Sequence, residues 1–203
     1  MEKENIKKQN KQLRNIFILI IVVLGVFLAI YFFIDSIKQF EYNEVKFKVV
    51  KEQDLIFYNT AIPIYQGSPI TGRFIGDYNF YLRKDPRVIG EEVAFKGELR
   101  LLENIVFNST QDFNCEGDGI IAVANLANLL GKMGANVIKN DSLNCDWVGD
   151  YNFIRLMPGD KTDIRMPGPA CYDLIIKDCE ILEVTERFML EIFKEIDKAE
   201  NEE

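Results

Sequence analysis

The sequence predicts an α/β protein leaning towards α+β. It has an N-terminal transmembrane helix and then one mixed-sheet domain with a βαβ unit, a hairpin and a C-terminal amphipathic helix. Three observations carry this. Residues 15–34, NIFILIIVVLGVFLAIYFFI, run for twenty residues without a charge. Residues 104–139 read strand, helix, strand with short joints, the pattern of a right-handed parallel unit. From Glu180 onward the apolar residues recur at helical spacing.

The uncharged run spans about 30 Å as a helix, the thickness of a bilayer's hydrocarbon core. A buried helix of a soluble protein rarely stays apolar all round for so long. Residues 1–14 carry five cations, Lys3, Lys7, Lys8, Lys11 and Arg14, against Glu2 and Glu4, a net of +3. Positive flanks stay in the cytoplasm, so a basic tail over 1–14 is expected inside the cell membrane and the chain from residue 35 outside. Tyr31, Phe32 and Phe33 fall where the helix meets the outer headgroups. A cleaved signal peptide is the competing reading, but LAIYFFIDS offers no good small-x-small site, and the span is read as an uncleaved anchor.

The four cysteines, Cys115, Cys145, Cys171 and Cys179, all lie beyond that span, where an even count reads as a disulfide framework. With no histidine and no CxxC pair, no metal site or cofactor is expected. From residue 35 onward, 19 basic residues stand against 30 acidic ones, a net of −11 that excludes nucleic acid as a partner. About 160 residues suit one domain with its own core.

Along the chain, residues 35–44 read as a polar juxtamembrane stalk and 45–199 as the folded domain. Strands are expected at 46–50, 54–60, 79–83 and 92–99. Between the second and third, residues 61–78 contain Pro63, Pro69, Gly67, Gly72 and Gly76. That stretch is either a functional loop or an edge strand broken by its prolines. NIVFN (104–108) is a strand, the helix that follows starts with Asp118 as N-cap and stops before Gly134, and NVIK (136–139) is the next strand. Asn125 and Asn128 interrupt the helix's apolar surface and need partners. NFIRLM and TDIRM around MPGDK read as a hairpin with a Pro-Gly turn. CYDLIIKDC alternates, with Tyr172, Leu174 and Ile176 on one face. Ile181, Val184, Phe188, Leu190, Ile192, Phe193 and Ile196 form one face of the closing helix, with Glu183 and Arg187 on the other, and 200–203 is a disordered tail.

Candidate sites are few. YLRKDPR gathers Arg83, Lys84 and Arg87 around an Asp-Pro turn, either a solvated strand end or a clamp for an anion or an acidic partner. Cys115 precedes a helix, where a thiolate would be favoured, but Asp112, Glu116 and Asp118 oppose it. Asn108 and Asn140 begin N-glycosylation patterns. A single strand over 172–178 would hold Cys171 and Cys179 about 26 Å apart, beyond the roughly 6 Å of a bridge. That removes the 171–179 link and with it 115–145. Cys145 and Cys171 flank the MPGDK turn almost symmetrically, so the predicted pairs are Cys145–Cys171 and Cys115–Cys179.

YLRKDPR, the helix IAVANLANLL and CYDLIIKDCEILEVTERF together resemble a group of uncharacterised single-pass membrane proteins from archaeal genomes. The resemblance implies a lineage and a topology, with no activity attached. Two function classes remain. One is an anchored binding or assembly module of the cell envelope, with the bilayer held through 15–34 and a protein partner held by the outer domain. The alternative is an envelope thiol–disulfide oxidoreductase using Cys115.

Overall fold

The computed structural model describes residues 2–66, 73–139, 143–146 and 148–201. It divides into two compact units, Met1–Phe40 and Glu41–Glu203. The first is helix α1 (Glu2–Ile37). Its stretch Leu13–Phe33 is long and apolar enough to cross a bilayer, and none of it is buried against protein. Length and composition of this kind belong to a membrane anchor or a signal segment. Residues 35–44, read as a polar juxtamembrane stalk, carry regular structure. The helix continues to Ile37, and strand β1 (Gln39–Tyr42) follows at once, because QFEY alternates and pairs with its neighbour.

The second unit holds two sheets. Strands β2 (Val45–Glu52), β3 (Leu55–Gln66) and β4 (Arg73–Leu82) follow β1 in a four-stranded meander of order β1-β2-β3-β4. Asn43 and Glu44 both take positive φ in the tight turn before β2, the requirement of a twisted two-residue hairpin. Of the two readings of 61–78, the described part is strand: β3 and β4 pair from Tyr58↔Leu82 to Gln66↔Arg73. Pro63 is tolerated because it lies beyond Asn59, the end of the register shared with β2.

The other sheet has six strands: β5 (Ala94–Lys96), β6 (Asn104–Ser109), β7 (Asn136–Lys139), β8 (Asn152–Pro158), β9 (Asp163–Gly168) and β10 (Cys171–Ile176). Their order is β5-β9-β10-β8-β6-β7. β7, β6, β8 and β10 are mutually parallel, and β9 runs against β10. The βαβ unit is β6, α3 (Asp118–Lys132) and β7. α3 stops as its sequence requires: Gly134 takes φ 84°, and the Ala135 amide donates to the Leu130 carbonyl at 3.0 Å. Its N-cap is Gly117 at φ 99°, however, and Asp118 is the first helical residue.

The hairpin is not built around MPGDK. β10 inserts between β8 and β9, so the paired hairpin is β9–β10, turning at Pro169-Ala170. All six residues of β10 are buried, so the alternation of CYDLII is not an inside–outside pattern. A strand buried on both faces, with its one charge, Asp173, paired to Arg155, belongs in a sheet's interior, which is why it displaces the local pairing of β8 with β9. Of the expected strand 92–99 only β5 forms, and helix α2 (Pro86–Glu92), which the sequence pattern does not predict, ends at the first residue of that range. Asp85 caps α2 and Pro86 opens it, the usual preference for those residues.

Helix α4 (Ile181–Asn201) contacts both sheets. Phe193 meets Phe80 of β4 at 5.8 Å between ring centres, and Phe188 meets Tyr172 of β10 at 5.2 Å. α4 therefore buries more than one stripe: Thr185, Glu186 and Arg187 are buried along with its apolar face. Arg187, expected on the solvent side, donates to the Val93 carbonyl at 3.2 Å and to Glu191 at 2.6 Å.

Candidate binding site

In open parallel sheets, ligands collect in the crevice beyond the carboxyl ends of the strands. Here β6 and β8 end side by side, Ser109 opposite Leu156, and the chain after β6 turns through 110–117 into α3. A cavity of about 870 Å³ opens at this point. Its apolar wall includes Phe107, Val123, Ala127 and Leu156, and its polar groups include Asn108, Gln111 and Asn114. Apolar walls with a few placed polar groups are the usual composition of a small-ligand or peptide site.

The loop over this crevice is shaped by close contact. The Gly117 and Gly119 amides donate to the Asn114 carbonyl at 2.8 and 3.2 Å. A Cβ on Gly119 would lie 1.6 Å from the Phe113 carbonyl oxygen, so only glycine fits there. The disulfide Cys115–Cys179 ties the loop to the β10–α4 connection, with the Cα atoms 5.5 Å apart. Cys115 is thus a half-cystine rather than a free thiol at a helix start. The second disulfide, Cys145–Cys171, sits where β8 and β10 begin, and Cys171 pairs in register with Phe153.

Asn108 lies in β6 and lines the cavity, and the Thr110 amide donates to the Leu156 carbonyl at 3.0 Å. A glycan on Asn108 would fill the crevice, so glycosylation and ligand binding there exclude each other. Asn140 lies outside the described residues. Asn128 donates to the Tyr78 hydroxyl at 3.1 Å, joining α3 to β4.

The structure brings Arg83, Lys84 and Arg87 to one turn, but each already holds a carboxylate. Arg83 reaches Asp118 at 2.8 Å, Lys84 reaches Glu183 at 2.5 Å, and Arg87 binds Asp85 at 2.9 and 2.6 Å. The Arg87 hydrogen bond is the first cause holding the Asp85 carboxyl below its usual range. With its charges paired internally, the turn is organised as a structural corner.

Its anchor is a residue that sequence reasoning missed. Glu186, 1% exposed, accepts the Arg83 amide at 2.9 Å and the Lys84 amide at 2.8 Å. Burial pushes its carboxyl up to about 7, against the opposing pull of those amides. No sequence signal marked it, because the amides it accepts lie 103 and 102 residues away along the chain.

No protein-family model, curated protein or solved structure matches the chain. Its class follows from its own build: a disulfide-stabilised α/β domain behind one apolar helix, the design of a membrane-anchored or secreted protein.

Proposed function

We propose that the protein is a single-pass, membrane-anchored binding module of the cell envelope, of the archaeal kind its sequence resembles. Residues 15–34 cross the bilayer, the N-terminus is cytoplasmic, and unit 41–203 works outside. The observation that carries the reading is the cavity of about 870 Å³ beyond β6 and β8, walled by a glycine-fitted, disulfide-tied loop. The ligand that matches it has an apolar body and hydrogen-bonding groups at its rim, as a segment of an envelope protein partner does. The net charge of +3 before the span supports the orientation.

Photocrosslinking in native membranes tests this. A crosslinker replacing Ala124, on the cavity wall, should give a discrete adduct that is lost when Ala127→Trp fills the cavity. The same crosslinker at Glu52, exposed on the four-stranded sheet, should give none. Equal adducts from both positions, or adducts indifferent to Ala127→Trp, reject the cavity as the site.

A further inference from the structure

The two disulfides occupy different environments. Cys171 is fully buried among Val106 and Phe153, and Cys145, Leu143 and Tyr151 pack against that cluster. At the other bridge Cys179 is exposed and Cys115 half-buried. The backbone is left-handed on both sides of this second bridge: Cys115, Glu116, Asp178 and Cys179 have φ of 45°, 56°, 44° and 63°. Non-glycine residues adopt that conformation uncommonly, and the two segments that do so here are joined by the bridge. Exposed bridges in constrained surroundings are the ones that exchange, whereas buried ones persist.

We infer that Cys115–Cys179 is an exchangeable disulfide, opened by a dithiol while Cys145–Cys171 stays closed, and that its opening releases the 110–117 wall of the cavity. Access decides which sulfur is attacked. A thiolate of the dithiol forms a new S–S bond to the exposed Cys179 sulfur. The Cys115–Cys179 bond breaks, and its electron pair leaves on the Cys115 sulfur, which takes up a proton. The dithiol's second thiol then attacks its own bonded sulfur and frees Cys179 as a thiol. The dithiol ends as a disulfide, and the bridge has gained two electrons and two protons. Thr110 ties the start of the loop to the Leu156 carbonyl of β8, but beyond it the hydrogen bonds are local, with the Gly117 and Gly119 amides donating to the Asn114 carbonyl, so they do not replace the tie to the β10–α4 connection.

The test uses the full-length protein in detergent micelles at neutral pH, without denaturant, with millimolar dithiothreitol. Free thiols are trapped by iodoacetamide at timed intervals and mapped by peptide. Cys115 and Cys179 should be alkylated at least about tenfold faster than Cys145 and Cys171. Amide exchange over 110–119 should rise while β8 keeps its protection. A Cys115→Ser/Cys179→Ser variant should show the same raised exchange with no reductant. Equal rates, the reverse order, or no alkylation without denaturant would overturn selective exchange. Unchanged exchange over 110–119 after reduction would overturn release of the wall. Neither readout requires the cavity to be occupied, so failure here is distinct from failure of the binding reading.

Discussion

Glu186 links burial to pH. In an unfolded chain its carboxyl titrates near 4.5, and in the fold it titrates at about 7. Between those values the folded protein holds a proton that the unfolded chain has released, so stability falls as pH rises through the window. The whole effect amounts to about 3 kcal/mol. The native protein should therefore unfold at lower urea at pH 8 than at pH 5, and Glu186→Gln should flatten that difference. A variant with the native slope would show that Glu186 ionises normally. Asp85 acts in the opposite sense and elsewhere: its lowered value places its loss of stabilisation at more acidic pH. The Arg83–Asp118 pair is partly exposed on both sides, so the coupling in a double-mutant cycle to alanine should stay below about 1 kcal/mol, read from denaturant midpoints. None of this was legible in YLRKDPR, because two of the carboxylates that neutralise it, Asp118 and Glu183, and the Glu186 that holds its backbone all lie elsewhere in the chain.

At the scale of elements, two glycines of one helix should respond in opposite directions. Gly131→Ala meets nothing within 4 Å and removes backbone entropy from the unfolded chain, so it should stabilise by about 0.5–1 kcal/mol. Gly119→Ala drives a Cβ to 1.6 Å from the Phe113 carbonyl, which cannot swing away as a side chain would. It should cost about 1–3 kcal/mol and raise amide exchange over 110–119. Equal effects from the two would mean that the loop does not rest on the helix. The βαβ unit was legible because its helix carries its own stop signal and its strands are bounded by polar loops. α2 was missed, although Asp85-Pro86 is a helix start, because seven residues are too few to display a period. The hairpin was misplaced because a Pro-Gly turn reports that the chain reverses, not which strand becomes its neighbour.

For the whole molecule, the disulfides and the N-terminal apolar helix set the expectations. Chain entropy assigns about 3.5 kcal/mol to Cys145–Cys171 and about 4.3 kcal/mol to Cys115–Cys179, the longer loop. Cys145→Ser/Cys171→Ser should lower the urea stability of unit 41–203 by at least the first amount, since it also places hydroxyls in an apolar cluster. A smaller loss would mean that this bridge adds little to the fold. A C-terminal tag should be reached by an impermeant reagent on intact cells, and a protected tag would reverse the proposed orientation.

Sequence alone determined what depends on local composition. An uncharged run of twenty residues needs an apolar surrounding whatever follows it, and α3 ends at its glycine in any context. Strand length likewise sets Cys171, at the start of β10, apart from Cys179, just beyond its far end. The pairs it left are those in the structure, yet the hairpin used to choose between them does not form: β8 lies parallel to β10, and this brings Cys145 and Cys171 to the same end of the sheet. Tertiary structure decided the rest: β10 at the interior of its sheet, α4 in contact with both sheets, Glu186 in the dark beneath a basic turn, and the cavity beyond β6 and β8. Each depends on which surfaces compete for one another across the fold. A pattern along the chain records how much a segment must bury, but the partner that buries it is chosen by the packing of the whole.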